Sequence, residues 1–333
     1  MPLPLAVTMG EPSGIGGEIA LAAWLGRRET DPAFYLIDEP DRLADLAGGL
    51  GWDVPVHAIA APAEAISTCR EALPVLPLGT RLRGRPGRPD PADAPAILAA
   101  IDRAVRDVQE GRAGALVTNP IQKDNLYRAG FRHPGHTEYL AELAGTGTAP
   151  VMMLASETLR VVPVTIHLAL RQAVATLSTA AIVHAGRVTA AALRRDFGIA
   201  APVLAVAGLN PHAGENGALG EEDRGIVAPA VAELRVLGID ARGPFAADTL
   251  FHEEARRRYD AALCMYHDQA LIPLKTLDFY GGVNITLGLP FVRTSPDHGT
   301  ALDIAGRGIA RPDSFQAALR IASRMAINRR RAA

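Results

Sequence analysis

Three of the nine histidines stand where a metal site could form. His167 follows the apolar run 160–165. His212 lies in Leu209-Asn210-Pro211-His212-Ala213-Gly214-Glu215, directly after the run 203–208. His267 lies in Met265-Tyr266-His267-Asp268, directly after the run 261–265. Each run has the length and largely apolar content of a buried strand. In a parallel α/β sheet, ligands bind outside the carboxyl ends of the strands, where all three residues would sit. Three imidazoles suit zinc or another borderline divalent cation and leave positions open for substrate. The three are too far apart in sequence to form a local ligand motif, and scattered loop histidines would give the same pattern.

Anion-holding chemistry is suggested elsewhere. Thr8-Met9-Gly10-Glu11-Pro12-Ser13-Gly14-Ile15-Gly16-Gly17-Glu18 reads as a strand, a glycine loop and a helix start. Such a junction can present backbone N–H groups to a phosphate, or can simply be a tight turn. Its spacing fits neither the dinucleotide fingerprint nor a P-loop. Gly135-His136-Thr137-Glu138 precedes an amphipathic segment, with Thr137 placed to cap it. The stretch from Asn284 through Arg293, His298, Gly299 and Thr300 to Asp303 and Gly306 is dense in polar residues. Arg293 offers a planar fork to a carboxylate or phosphate; Asp303 could serve as a helix cap. Of the 34 cationic residues only Lys123 and Lys275 are lysine. A lysine kept against that bias can be wanted for its compact, deprotonatable ammonium.

The elements that must position these residues alternate. Strand-like runs at 3–8, 34–37, 115–118, 151–154, 160–165, 203–208 and 261–265 are interleaved with helical patterns at 18–25, 94–109, 137–144, 178–197 and 223–237. This alternation predicts an α/β protein with largely parallel sheets. Residues 79–93, rich in Pro, Arg and Gly, are expected to form a long mobile loop. A length of 333 residues suggests two domains, and a net charge of −2 offers no footprint for nucleic acid. The terminal arginines 329–331 are expected to be a solvated helix end. Two distant cysteines, Cys69 and Cys264, give no disulfide framework. The N-terminal segment lacks a signal-peptide pattern, and no apolar run is long enough to span a membrane. A reduced, cytoplasmic protein is expected.

Five motifs in order carry a resemblance that spans nearly the whole chain. They are Gly10-Glu11-Pro12-Ser13-Gly14-Ile15-Gly16, Gly135-His136-Thr137-Glu138, Leu209 to Glu215, Met265-Tyr266-His267-Asp268-Gln269 and Arg293 to Thr300. Together they resemble the 4-hydroxythreonine-4-phosphate dehydrogenase family. His298 to Gly306 also resembles the adenosine-binding loop of the wider isocitrate and isopropylmalate dehydrogenase-like group, which binds its metal with aspartates. The resemblance implies a two-domain subunit with the active site in the interdomain cleft, divided as 1–129 plus 283–333 and 130–282. It implies a homodimer in which His167, His212 and His267, drawn from both subunits, hold one divalent metal (zinc, cobalt or magnesium). Substrate contacts map to His136, Thr137, Lys275, Asn284 and Arg293, with Lys275 also a catalytic candidate. NAD or NADP would contact Gly10, Gly14, Gly16, His298, Gly299 and Asp303. The implied reaction is oxidation of a phosphorylated hydroxy acid to a β-keto acid that decarboxylates. A sister enzyme acting on phosphorylated threonate or erythronate, and a phosphate acyltransferase of related fold, are the alternatives.

Overall fold

The computed structural model describes residues 3–133 and 135–332. Met1, Pro2 and the Pro134 of the predicted turn before His136 lie outside them. The chain forms two compact units, Met1–Thr148 with Leu289–Ile327, and Ala149–Gly288 with Asn328–Ala333. The sequence reading puts the divisions at 129/130 and 282/283. Residues 130–148 fall in the first unit because the helix His136–Leu143 buries Leu140 in that unit's core, with Ile97 and Ile101.

In chain order the strands are β1 Leu5–Thr8, β2 Phe34–Asp38, β3 Val56–Ala58, β4 Leu73–Pro77 and β5 Leu116–Thr118. The second unit holds β6 Val151–Ala155, β7 Arg160–Pro163, β8 Val203–Ala207, β9 Asp240–Phe245, β10 Ala261–Cys264 and β11 Val283–Leu287, and β12 Arg293–Pro296 belongs to the first. The first unit orders its strands β3-β4-β2-β1-β5-β12, all parallel. The second runs β11-β6-β7-β10-β8-β9, parallel except for β6, which is antiparallel to both its neighbours. Strands covered on both faces read as continuous apolar runs, which is why β1 and β2 were legible. Short β3, half-exposed β9 and β11, whose apolar residues alternate with Asn284 and Thr286, carried no such run.

Helix Ala94–Gln109 shows how the elements are seated. Ile97, Ala100, Ile101, Ala104 and Val105 recur at helical spacing and are buried. Each isoleucine so buried contributes about 1.5–3 kcal/mol. Asp107 at its far end is buried too, and is satisfied by the Tyr35 hydroxyl (2.7 Å) and by Arg103 and Arg112. The predicted helix at 223–237 is instead a π-helical turn, Asp223–Val227, continued by Ala228–Val236. The stretch 79–93 is tied down: buried Asp93 accepts N–H groups from Arg83 and Gly84 (both 2.8 Å), and Gly87 donates to the Ser13 carbonyl. None of the helices among the described residues is long and apolar enough to cross a membrane.

The terminal arginines are not simply solvated. Arg329 donates from Nε (2.7 Å) and Nη2 (2.8 Å) to the carboxylate of Asp196, which Arg195 also holds. Asp196 is 1% exposed. Burial pushes its pKa up, but the hydrogen bonds and charges of Arg329 and Arg195 outweigh it, so the net shift is downward. A depressed carboxylate stabilises the fold above its unfolded pKa, and that stability is lost as the pH falls through the folded value. Asp196→Asn should therefore cost about 3 kcal/mol at neutral pH. It should also flatten the loss of stability on acidification below the ordinary carboxylate range. Denaturant unfolding across that range checks both; an unchanged acid limb would remove Asp196 from the account.

Candidate functional site

The second unit brings the strand-end histidines to one sheet edge. β10 lies between β7 and β8, all parallel, so His167, His267 and His212 follow the carboxyl ends of three adjacent strands. The rings of His167 and His267 are 5.8 Å apart between centroids, beside a cavity of about 210 Å³ that Thr165, Leu170 and Tyr266 also line. His267 is the first residue of the helix His267–Leu277. Its Nδ1 is 2.7 Å from Asp268 Oδ1, so the carboxylate accepts there and Nε2 takes no part in that bond. Gln269 clips the neighbouring strand ends together, accepting from Met265 N (2.6 Å) and donating to Gly208 O (2.7 Å). Thr165 Oγ1 donates to Met265 O.

His212 does not join the pair within one chain. Among the described residues no group of three or more His, Cys, Asp or Glu side chains is placed to hold a metal ion. His212 instead begins a run of left-handed residues, His212 (φ 53°), Ala213 (52°), Gly214 (78°), Glu215 (43°) and Asn216 (57°). His167 is left-handed as well (φ 53°). This conformation costs about 1–2 kcal/mol per non-glycine residue. Strain of this kind collects where a side chain must be aimed. Two histidines, one oriented by a carboxylate, fit a borderline divalent cation that takes its third imidazole from elsewhere. Lys275 lies in the last turn of the His267 helix with Nζ 5.3 Å from the Phe279 ring centroid. Asn284, on β11, has its Oδ1 shielded from solvent with no hydrogen-bond partner.

The first unit gathers cations. The order in which the chain winds across the sheet reverses between the parallel strands β1 and β5, the kind of switch point at which open α/β sheets bind ligands. Arg293, 3% exposed, donates to Thr118 Oγ1 at the end of β5 (2.6 and 3.2 Å). Burial brings its pKa down to about 10. His136 has a shielded Nε2 with no partner. Burial first, then the charges of Arg293 and Lys123, bring its pKa down to about 3. Gln122 Oε1 is likewise buried and unpartnered. Glu11, itself buried, accepts from Ser13 N and Asn125 Nδ2, fastening the short helix Lys123–Arg128 to the glycine loop. Two cations beside a neutral imidazole form a place for an anion. Thr137 is not a cap: the helix cap is Gly135, and Thr137 lies within the first turn.

The glycine loop and the His298–Gly306 loop touch. Ile15 N donates to Thr300 O (3.0 Å), and buried Glu18 accepts from Gly306 N (2.8 Å) and Ala310 N (3.0 Å). A Cβ on Gly10 would lie 2.5 Å from Pro120 O, on Gly14 2.8 Å from Thr300 O, and on Gly16 2.8 Å from Met9 O. Close packing of protein on protein thus accounts for these three glycines. His298 is half-buried, while Gly299 and Asp303 are exposed; Asp303 lies in a turn and caps no helix. A groove of about 790 Å³ runs past Pro12, Arg42, Leu50, Arg83 and Gly306.

The family model described as pyridoxal phosphate biosynthetic protein PdxA matches residues 31–322. The chain belongs to the PdxA family. It is 57% identical over 335 residues to 4-hydroxythreonine-4-phosphate dehydrogenase of Bradyrhizobium diazoefficiens, covering 97% of each chain. It is 58% identical to the enzyme of that name from Methylorubrum populi, covering 97% of this chain and 94% of the relative. A crystal structure of the dehydrogenase from Klebsiella pneumoniae superposes with a TM-score of 0.87 at 40% identity, covering 98% of both chains. In this PdxA-family chain, the sequence pattern assigned no role to Thr118 or Gln122, and Gln269 stood only as the last residue of the Met265–Gln269 motif. Lys123 carried a signal, being one of two lysines. Thr118 and Gln122 carried none, because only the sheet order sets β5 beside Arg293.

The lowered pKa of His136 has a stability consequence. The unfolded chain takes up a proton there near pH 6.5, whereas the folded chain waits until about pH 3. The unfolded state thus binds more protons across that window, and stability falls as the pH drops through it. His136→Gln should make the stability curve flatter between those limits. Arg293→Met should raise the imidazole pKa, followed by NMR titration of the ring. Coincident pH–stability curves for wild type and His136→Gln would refute the assignment.

Proposed function

We propose that this chain oxidises 4-hydroxythreonine 4-phosphate with NAD or NADP, giving a β-keto acid that decarboxylates to 3-amino-2-oxopropyl phosphate in pyridoxal 5'-phosphate biosynthesis. One geometric observation carries the reading: His267, its Nδ1 tied to Asp268, faces His167 at the carboxyl edge of the sheet. The names of the relatives agree with it. His167, His212 and His267 would hold a divalent zinc, cobalt or magnesium ion. Such a metal, when bound, supplies Lewis acidity toward a hydroxyl and its developing oxyanion.

The chain's own residues do the rest. His136, Thr137 and Arg293 would bind the phosphate, with His136 as a neutral donor and Arg293 as charge. Asn284 offers its amide. Lys275 would hold an anionic substrate group or move a proton. His298, Gly299 and Asp303 would meet the nicotinamide cofactor, with Gly10, Gly14 and Gly16 packed behind them. The surface around the histidine pair supports a homodimer. Leu170 is 60%, Ile272 63% and Phe279 65% exposed, and each lies within twelve residues of His167 or His267. A second copy covering that apolar surface would bring its own His212. The small phosphorylated substrate fits a cytoplasmic enzyme.

Reduction of NAD or NADP measured with 4-hydroxythreonine 4-phosphate, against phosphorylated threonate and erythronate, tests the reading. Preference for either sugar acid would replace the substrate. Chelation should abolish turnover, and zinc, cobalt or magnesium should restore it. Lys275→Ala should lower kcat/KM by about 100-fold or more. Lys275→Arg should restore only part, since the larger fork does not give up its proton. Near wild-type kcat/KM in Lys275→Ala would exclude Lys275 from the site.

A further inference from the structure

Asp223 is a buried carboxylate, 2% exposed, that no cation pairs with among the described residues. Its two oxygens accept backbone N–H groups instead, Oδ1 from Leu209 (2.7 Å) and Oδ2 from Asn210 (3.0 Å). Those donors lead into the left-handed run that carries His212. The same carboxylate lies against Gly208 before the turn and Gly214 within it. A Cβ on Gly208 would stand 2.9 Å from Oδ1, and one on Gly214 3.3 Å from Oδ2. Ala213 N closes back on Asn210 O (3.0 Å), and Asn210 Nδ2 donates to Glu222 Oε2 (2.9 Å), one residue before Asp223. The segment that presents Asp223 is itself irregular, the π-helical turn Asp223–Val227. Such turns concentrate at functional sites.

A buried charge satisfied only by N–H groups is a demanding arrangement for a scaffold. It suits a loop whose backbone must be kept out of its preferred basin. We infer that Asp223 is a positioning residue: it fills the concave side of the His212 turn and fixes the imidazole in the direction a shared metal requires. This rests on the reading of His212 as a metal ligand. Without the carboxylate, residues 212–216 are free to relax toward right-handed conformations, and the imidazole swings away with them.

Cobalt(II) titration of the full-length, metal-stripped protein, followed by visible absorption, tests this with metal alone as the probe. Asp223→Asn should keep the wild-type far-UV circular dichroism and bind cobalt about 10–100-fold more weakly. Adding Ala213→Gly, which makes a left-handed residue unstrained, should recover part of that affinity. A residue needed only for folding would not respond to that second change. Where Asp223→Asn does not fold, Asp223→Glu, which keeps the charge but displaces it, takes its place with the same expected loss and recovery. Cobalt affinity within twofold of wild type in the Asp223 variant, or no recovery with Ala213→Gly, overturns the inference. His212→Ala separates the two layers. If it binds cobalt as wild type does, the metal reading itself fails. If it loses cobalt while the Asp223 variant does not, only the positioning role fails.

Discussion

The loops of this protein depend on one kind of interaction, a buried carboxylate accepting backbone N–H groups. Glu18 holds Gly306 and Ala310, Asp93 holds Arg83 and Gly84, Asp223 holds Leu209 and Asn210, and Glu11 holds Ser13. All four acids are 2% exposed or less. A parallel sheet leaves its functional residues on irregular segments beyond the strands, where no ladder satisfies the backbone. A carboxyl group inside the fold has two oxygens with which to accept such donors. The loops are thereby tied to the fold by the chain's own groups.

That fixing lets the second unit keep an unfavourable backbone. His167 and the run beginning at His212 occupy the left-handed region without being glycine. Gln269 joins the end of β10 to the end of β8, and Thr165 joins β7 to β10, so the three histidine-bearing segments share one network of hydrogen bonds. The strain is local and the support is distributed, the pattern expected where a side chain's direction matters more than its segment's comfort.

The first unit solves an electrostatic problem. Arg293 is buried and its charge lies near His136, whose neutrality follows from that burial and from the charges of Arg293 and Lys123. An imidazole kept neutral donates or accepts without adding a third positive charge to a crowded place. Thr118 supplies the hydroxyl that Arg293 leans on, and Glu11 with Asn125 anchors the helix that begins at Lys123.

The alternating α/β organisation follows from residue order alone, because doubly covered strands such as β1, β2 and β8 must be apolar throughout. The same residue order also marks the histidine, lysine and arginine candidates, because those types are rare or conspicuously placed, and the family, because five motifs recur in order. Which of them meet is set by the fold. His267 and His167 are a hundred residues apart and come together because β10 pairs with β7. Arg293 finds Thr118 because β12 pairs with β5. The left-handed turn at His212 and the burial of Asp223 were equally invisible. The glycines at 10, 14 and 16 could have served a phosphate or the chain itself, and only the packing of Pro120, Thr300 and Met9 against them accounts for their small size. Strand order and backbone handedness are set by long-range packing, and no local pattern of residue types encodes them.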